Sequence, residues 1–166
     1  MKATASLALI AVGMACTSPQ WTPDNLNIGK KEPSLTELVD ETAGAWGIDQ
    51  QLFRAIVHVE SGGRERVQGR VEPHYLRRCR KLVGVGRDAT RCASSLGPAQ
   101  VMGFYALSLG VSLDEVENPR TNLELAAHKL YTCHKRFQGD KAILCYNGLS
   151  GDGSYVRKVK AAMEKV

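Results

Sequence analysis

The chain has 166 residues, 43% of them hydrophobic and 23% charged, with a formal net charge of +5. This length suits one domain with its own core and is short for two, and the composition excludes both a disordered chain and a polytopic membrane protein. One fold with one active site is the expectation.

Residues 1–16 contain one lysine, no acid, and small and apolar residues from Ala3 to Met14. The run is short for a bilayer span and fits a secretory signal peptide. Gly13-Met14-Ala15 leads directly into Cys16, an arrangement that resembles a lipoprotein processing site, with Gly13 and Met14 departing from its usual residues. Acylation of Cys16 would anchor the protein to a membrane in the cell envelope or periplasm, and plain cleavage with release is the alternative. Residues 17–33 are polar, contain Pro19, Pro23 and Pro33, and lack periodicity, as a linker does. The folded domain is expected over residues 34–166.

Ser34 with Glu37 forms a capping box, and Leu35, Leu38, Val39 and Trp46 continue a helical stripe up to Gly47. Asp49 can cap a second helix, in which Leu52, Phe53, Ile56, Val57 and Glu60 recur at spacings of three and four before Gly62-Gly63. Glu60 therefore falls on the apolar side near the helix C-terminus. Residues 64–95 have no clear period, so loops are expected there, with a small ribbon around residues 67–71. From Pro98 to Gly110 a helical pattern returns through Val101, Met102, Tyr105, Leu107 and Leu109. A short helix opens at Ser112, boxed by Glu115, and ends before Pro119. Thr121 with Glu124 is expected to open a longer helix, Asp140 a short one through Tyr146, and Tyr155 the last, with Val156, Val159, Met163 and Val166 on one side. The fold class is mainly α, a single domain with a small irregular or β insertion.

Five cysteines occur, and setting Cys16 aside leaves an even four, as in an oxidising compartment. Three pairings are possible. Cys79 with Cys92 and Cys133 with Cys145 is preferred because each closes a short loop, with free buried thiols as the alternative. A zinc site built from His74, Cys79, Cys92 and His134 lacks CxxC or HxxxH spacing, so no metal and no cofactor are expected. The stretch from Arg64 to Arg91 concentrates basic residues against Glu65, Glu72 and Asp88 alone. Such a surface attracts polyanions. For an exported protein these are cell-wall peptide carboxylates or anionic lipid headgroups, and nucleic acid would be the partner only if the leader stayed uncleaved in the cytosol. An ordinary solvated basic loop is the plain alternative.

A carboxylate on the apolar face of a helix is desolvated, and at the C-terminus it meets the negative end of the macrodipole, so both effects favour its protonated form. A carboxylic acid protonated near neutral pH is what protonation of a glycosidic oxygen requires. Periodicity alone leaves open a Glu60 turned to solvent or paired with Arg64. Further segments narrow the choice. Glu60-Ser61, then Gly97-Pro98-Ala99-Gln100-Val101-Met102, then Asn118-Pro119 with Asn122-Leu123, then residues 142–148 and 155–159 resemble, in this order, the motifs of the soluble lytic transglycosylase family, of lysozyme-like fold. The resemblance covers about residues 34–159.

It implies that Glu60 is the single catalytic acid/base and that Ser61 lies at the mouth of the site. It also implies that Gln100 and Met102 contact substrate, that the Gly97 backbone lines the groove, and that Tyr146, accompanied by Asn147, sits near the catalytic carboxyl. The implied substrate is the peptidoglycan glycan strand, cleaved by a monomer to leave 1,6-anhydro-N-acetylmuramic ends. Pro98-Ala99 and Gly103 depart from the family's usual residues, and the stretch between Ser61 and Gly97 is longer than usual. A muramidase, with Glu72 holding a water opposite Glu60, and a non-catalytic wall-binding protein of the same fold are the alternatives.

Overall fold

A computed structural model describes residues 32–149 and 152–166, and the compact unit spans Pro33–Val166. The expected leader, Cys16 and most of the expected linker, including residues 17–31, lie outside the described residues. The elements run α1 Leu35–Trp46, α2 Gln50–Ser61, β1 Gln68–Val71, α3 Pro73–Val83, α4 Arg87–Cys92, β2 Ser94–Leu96, β3 Val101–Met102, α5 Gly103–Ser108, α6 Leu113–Glu117, α7 Pro119–Arg136, α8 Asp140–Tyr146 and α9 Ser154–Met163. The architecture is mainly α and lysozyme-like, with a small antiparallel sheet ordered β1-β2-β3.

The first two helices form as their caps dictate. Ser34 and Glu37 complete the capping box of α1, Asp49 accepts from the Leu52 amide to start α2, and Gly47 and Gly62 end them in left-handed conformations. The buried faces of α1 and α2, with Leu38, Val39, Phe53, Ile56 and Val57, meet Leu123, Ala126 and Leu130 of α7 and Val156 and Val159 of α9 in one core. The packing of α9 along α2 brings the start of α9 to the end of α2.

Three sequence expectations are corrected. Residues 64–95 hold two helices, α3 and α4, besides the expected ribbon strand. Their inward residues are few, since Cys79 is the one fully buried side chain of α3, so no long apolar period shows in the sequence. The segment after Gly97 is a turn followed by β3, and the helix α5 begins only at Gly103. Gly97 (φ 73°) and Gln100 (φ 50°) both adopt left-handed backbone, which no α-helix accommodates. The long helix α7 starts at Pro119, not at Thr121, because the Asn118 side chain accepts from the Arg120 and Thr121 amides. Glu124, freed from capping, accepts instead from Trp46 Nε1 at 2.7 Å and ties α7 to α1.

Two disulfides staple the periphery, Cys79–Cys92 joining α3 to α4 and Cys133–Cys145 joining α7 to α8. Arg91 is buried at the end of α4 and fans out to Glu117, Asp88, Asp114 and the Leu113 carbonyl, all within 3.2 Å. A guanidinium so fully paired fixes α4 against α6. The Cys79–Cys92 link closes a 13-residue separation. Replacing both cysteines by Ala is expected to lower the unfolding free energy by about 3 kcal/mol, measured by urea denaturation without reductant.

Candidate active site

Glu60 stands one position before the end of α2, three and four residues after Val57 and Ile56 on the inward face. That register turns its carboxyl toward the protein, where Tyr155 at the start of α9 donates to Oε1 at 2.6 Å. Oε2 has no hydrogen-bond partner among the described residues, and it is not an enclosed unsatisfied atom. One oxygen is thus pinned and the other is available.

Burial, the largest influence, raises the Glu60 pKa above the ordinary carboxylate value of 4.5, while the Tyr155 hydrogen bond and the Lys129 ammonium act in the opposite sense. Lys129 comes from α7, and burial lowers its pKa against the opposing pull of Glu60. Its ammonium lies 4.9 Å from the centre of the Tyr146 ring and 5.9 Å from that of Tyr105. Such cation–π contacts hold a partly desolvated charge in place. The phenols of Tyr146 and Tyr155 are both pushed far up by burial and then by the Glu60 charge, so they remain neutral donors. Among the described residues, the charged influence on Glu60 is the Lys129 ammonium and not a second carboxylate.

The resemblance-based residues divide into two groups. Tyr146 is buried, lies close enough to Glu60 to feel its charge, and donates to the Ala99 carbonyl at 2.7 Å. It therefore supports the 97–100 turn, while direct contact with the acid belongs to Tyr155. Gln100 donates from Nε2 to the Gly97 and Val67 carbonyls at 2.9 and 3.1 Å, so its amide donors clamp the turn onto β1. Ser61 is buried, its hydroxyl donating back to the Val57 carbonyl at 3.1 Å. Met102 is half-buried at the start of α5, and Asn147 is exposed at the end of α8.

Gly97 lines a cleft of about 550 Å³ together with Arg66, Val67, Gln68 and Asn118. Glu60 is not among the residues lining that cleft, so cavity size does not locate the acid. A Cβ at Gly97 would fall 2.4 Å from Asn122 Nδ2, which requires glycine there. Asn122, fully buried, donates to the Leu96 and Val116 carbonyls and accepts from the Ala99 amide, all within 2.9 Å. Both polar atoms of this amide side chain are occupied in tying the turn to β2 and α6.

Sequence reasoning missed Tyr155, Lys129 and Asn122 as members of the site. A signal existed for the last two. Asn122, Ala126, Lys129 and Cys133 recur at spacings of three and four along α7, so an amide and a lysine occupy an otherwise apolar stripe. Tyr155 opens the 155–159 segment that carries the family resemblance, but its contact with Glu60 depends on α9 folding back along α2.

A helical domain with a small antiparallel sheet, and a buried carboxyl of raised pKa at a helix end, is a lysozyme-like arrangement. The chain belongs to the transglycosylase SLT domain family, whose model matches residues 37–165. It is 30% identical over 112 residues to the endo-type membrane-bound lytic murein transglycosylase A of Klebsiella pneumoniae subsp. pneumoniae, and equally to that of Klebsiella pneumoniae strain 342. The matched stretch takes up 67% of this chain and 47% of each relative, so the chain spans about half the length of the curated relatives it matches. No solved structure gives a significant match.

A general acid works only while protonated, so its activity falls as pH rises through its pKa. Lys129 and Tyr155 both hold the Glu60 pKa down. Lys129→Met and Tyr155→Phe are each expected to move the alkaline limb of the kcat/KM profile to higher pH. An unchanged limb in both variants would remove these groups from the tuning of Glu60.

Proposed function

We propose that the protein is a lytic transglycosylase that cuts the β-1,4 bond between N-acetylmuramic acid and N-acetylglucosamine in peptidoglycan. The observation that carries this reading is the single raised carboxyl of Glu60, with Oε1 held by Tyr155 and Oε2 left to carry a proton. Membership of the transglycosylase family and the lytic murein transglycosylases it resembles point to the same chemistry.

In the first step Glu60 Oε2 gives its proton to the glycosidic oxygen as the bond to the muramic anomeric carbon breaks. The substrate's own acetamido oxygen shares the positive charge that develops there. The carboxylate, now stabilised by the Tyr155 hydroxyl and the Lys129 ammonium, takes the proton from the muramic C6 hydroxyl. The C6 oxygen bonds to the anomeric carbon, closing the 1,6-anhydro ring and returning Glu60 to its starting form. The groups that lower the Glu60 pKa thus serve the second half, and burial serves the first.

Most glycosidases use two carboxylates instead. Glu72, the candidate for holding a hydrolytic water, is engaged with Arg70 at 2.8 Å and lies 3.9 Å from His74. That commitment favours the anhydro product over hydrolysis. Met102 and Asn147 are the side chains of the expected set left to meet the glycan, and the Gly97 backbone lines its path. Ser61, Gln100 and Tyr146 act by shaping the surface beneath it. The apolar run over residues 1–16 and the membrane-bound relatives support an exported, envelope-associated protein, either anchored through an acylated Cys16 or released by plain cleavage. Among the described residues no helix is long and apolar enough to cross a membrane.

Glu60→Gln is expected to fold yet lose about a hundred- to ten-thousand-fold of the release of fragments from purified sacculi. Mass spectrometry of the wild-type products is expected to show anhydro-muramic ends. Reducing muramic ends would make the protein a muramidase, and undiminished release by the Gln variant would take Glu60 out of the reaction.

A further inference from the structure

The middle of the basic stretch noted in the sequence folds into α3 and its turn toward α4. Arg77, Arg78, Arg80 and Lys81 are all exposed, and none has an ion-pair partner among the described residues. Several arginines elsewhere in the fold are paired, Arg54 with Asp40, Arg70 with Glu72, Arg91 with three acids and Arg120 with Glu41. Four unpaired positive charges on one short helix raise the local potential and cost stability by mutual repulsion.

The end of the same helix carries the two most exposed large apolar side chains among the described residues, Leu82 at 61% and Val85 at 87%. Arg78, Lys81 and Leu82 lie three and four residues apart, so they share one side of α3. Gly84 and Gly86 flank Val85 in positive-φ backbone, forming a tip that projects its side chain outward. The Cys79–Cys92 disulfide, buried behind this face, ties α3 to α4 and holds the tip in place. Neither the acid at Glu60 nor the turn at residues 97–100 uses any of these residues.

We propose that this stapled tip is a membrane-contacting surface that seats the domain on an anionic phospholipid bilayer. The cationic side chains meet the headgroups, while Leu82 and Val85 enter the boundary between headgroups and acyl chains. Charge alone would suit any polyanion, including wall peptide carboxylates. An apolar pair at the apex gains nothing from a hydrated polyanion and gains burial from a bilayer, and that decides for the bilayer. Anchoring through Cys16 would place the membrane within reach, but the surface is complete without it.

The test uses residues 17–166, which lack the leader and Cys16 and retain the self-contained unit Pro33–Val166. Co-sedimentation is measured with vesicles of phosphatidylcholine alone and of phosphatidylcholine with phosphatidylglycerol, in low and high salt. Binding is expected only to the anionic vesicles, and it is expected to weaken as salt rises. Arg78→Glu and Lys81→Glu should each cut partitioning by about fivefold or more, the factor expected for one basic side chain at an anionic surface. Leu82→Ser with Val85→Ser should cut it further at unchanged net charge. Circular dichroism and release of fragments from sacculi check that each variant folds, and neither depends on vesicle binding.

Equal binding to neutral vesicles, or anionic binding indifferent to Leu82 and Val85, would overturn the proposal. So would retention on sacculi that depends on Arg78 and Lys81 without vesicle binding, which would assign the face to the wall. Failure of sacculus cleavage in the wild type would contradict the transglycosylase reading and leave this one standing.

Discussion

The structure depends on one desolvated carboxyl at the end of a helix, opposed by just enough polar contact to make it reversible. Burial of Glu60 favours its acid form, and the Tyr155 hydroxyl and Lys129 ammonium favour its base form. These influences come from three helices that lie far apart in the chain, α2, α7 and α9. In the proposed reaction Glu60 donates a proton and later recovers one, which needs both kinds of influence, since either alone would trap it in one state. The aromatic rings of Tyr146 and Tyr105 complete the balance by holding the lysine charge without a second carboxylate.

Around that group the fold spends its buried polar contacts on fixing the 97–100 turn. Asn122 accepts from the Ala99 amide and donates to the Leu96 and Val116 carbonyls, which ties the turn to β2 and α6, Tyr146 donates to the Ala99 carbonyl, and Gln100 closes the turn onto Val67. Gln100 in left-handed backbone is a strained position, of order 1 kcal/mol or more, that persists because its own amide makes two bonds there. The side chains expected to touch substrate are therefore partly the supports of the surface that does so. Arg91 gives a similar support between helices, locking α4 and α6 together.

Much of this was legible in the chain. The register of Leu52, Phe53, Ile56, Val57 and Glu60 placed the acid on an inward face, and the caps at Ser34, Asp49 and Ser112 marked real helix starts. Short loop closure also favoured the two disulfides that the structure contains. What failed was local in a different way. Val101, Met102 and Tyr105 follow helical spacing, yet two left-handed residues interrupt them, and Gln100 gives no sign in sequence of adopting that backbone. Helices α3 and α4 bury so little that a disulfide, and not an apolar face, ties them to each other. Tyr155 reaches Glu60 across 95 positions of sequence, a contact set by helix packing alone.

The most direct test is a carbon-13 NMR titration of the Glu60 side-chain carboxyl in the intact chain. The midpoint is expected above the ordinary value of 4.5, and it should rise further when Lys129 is replaced by Met. A midpoint at or below 4.5 in the wild type would show that the carboxyl is neither desolvated nor poised as an acid, and the account of the site would fall with it.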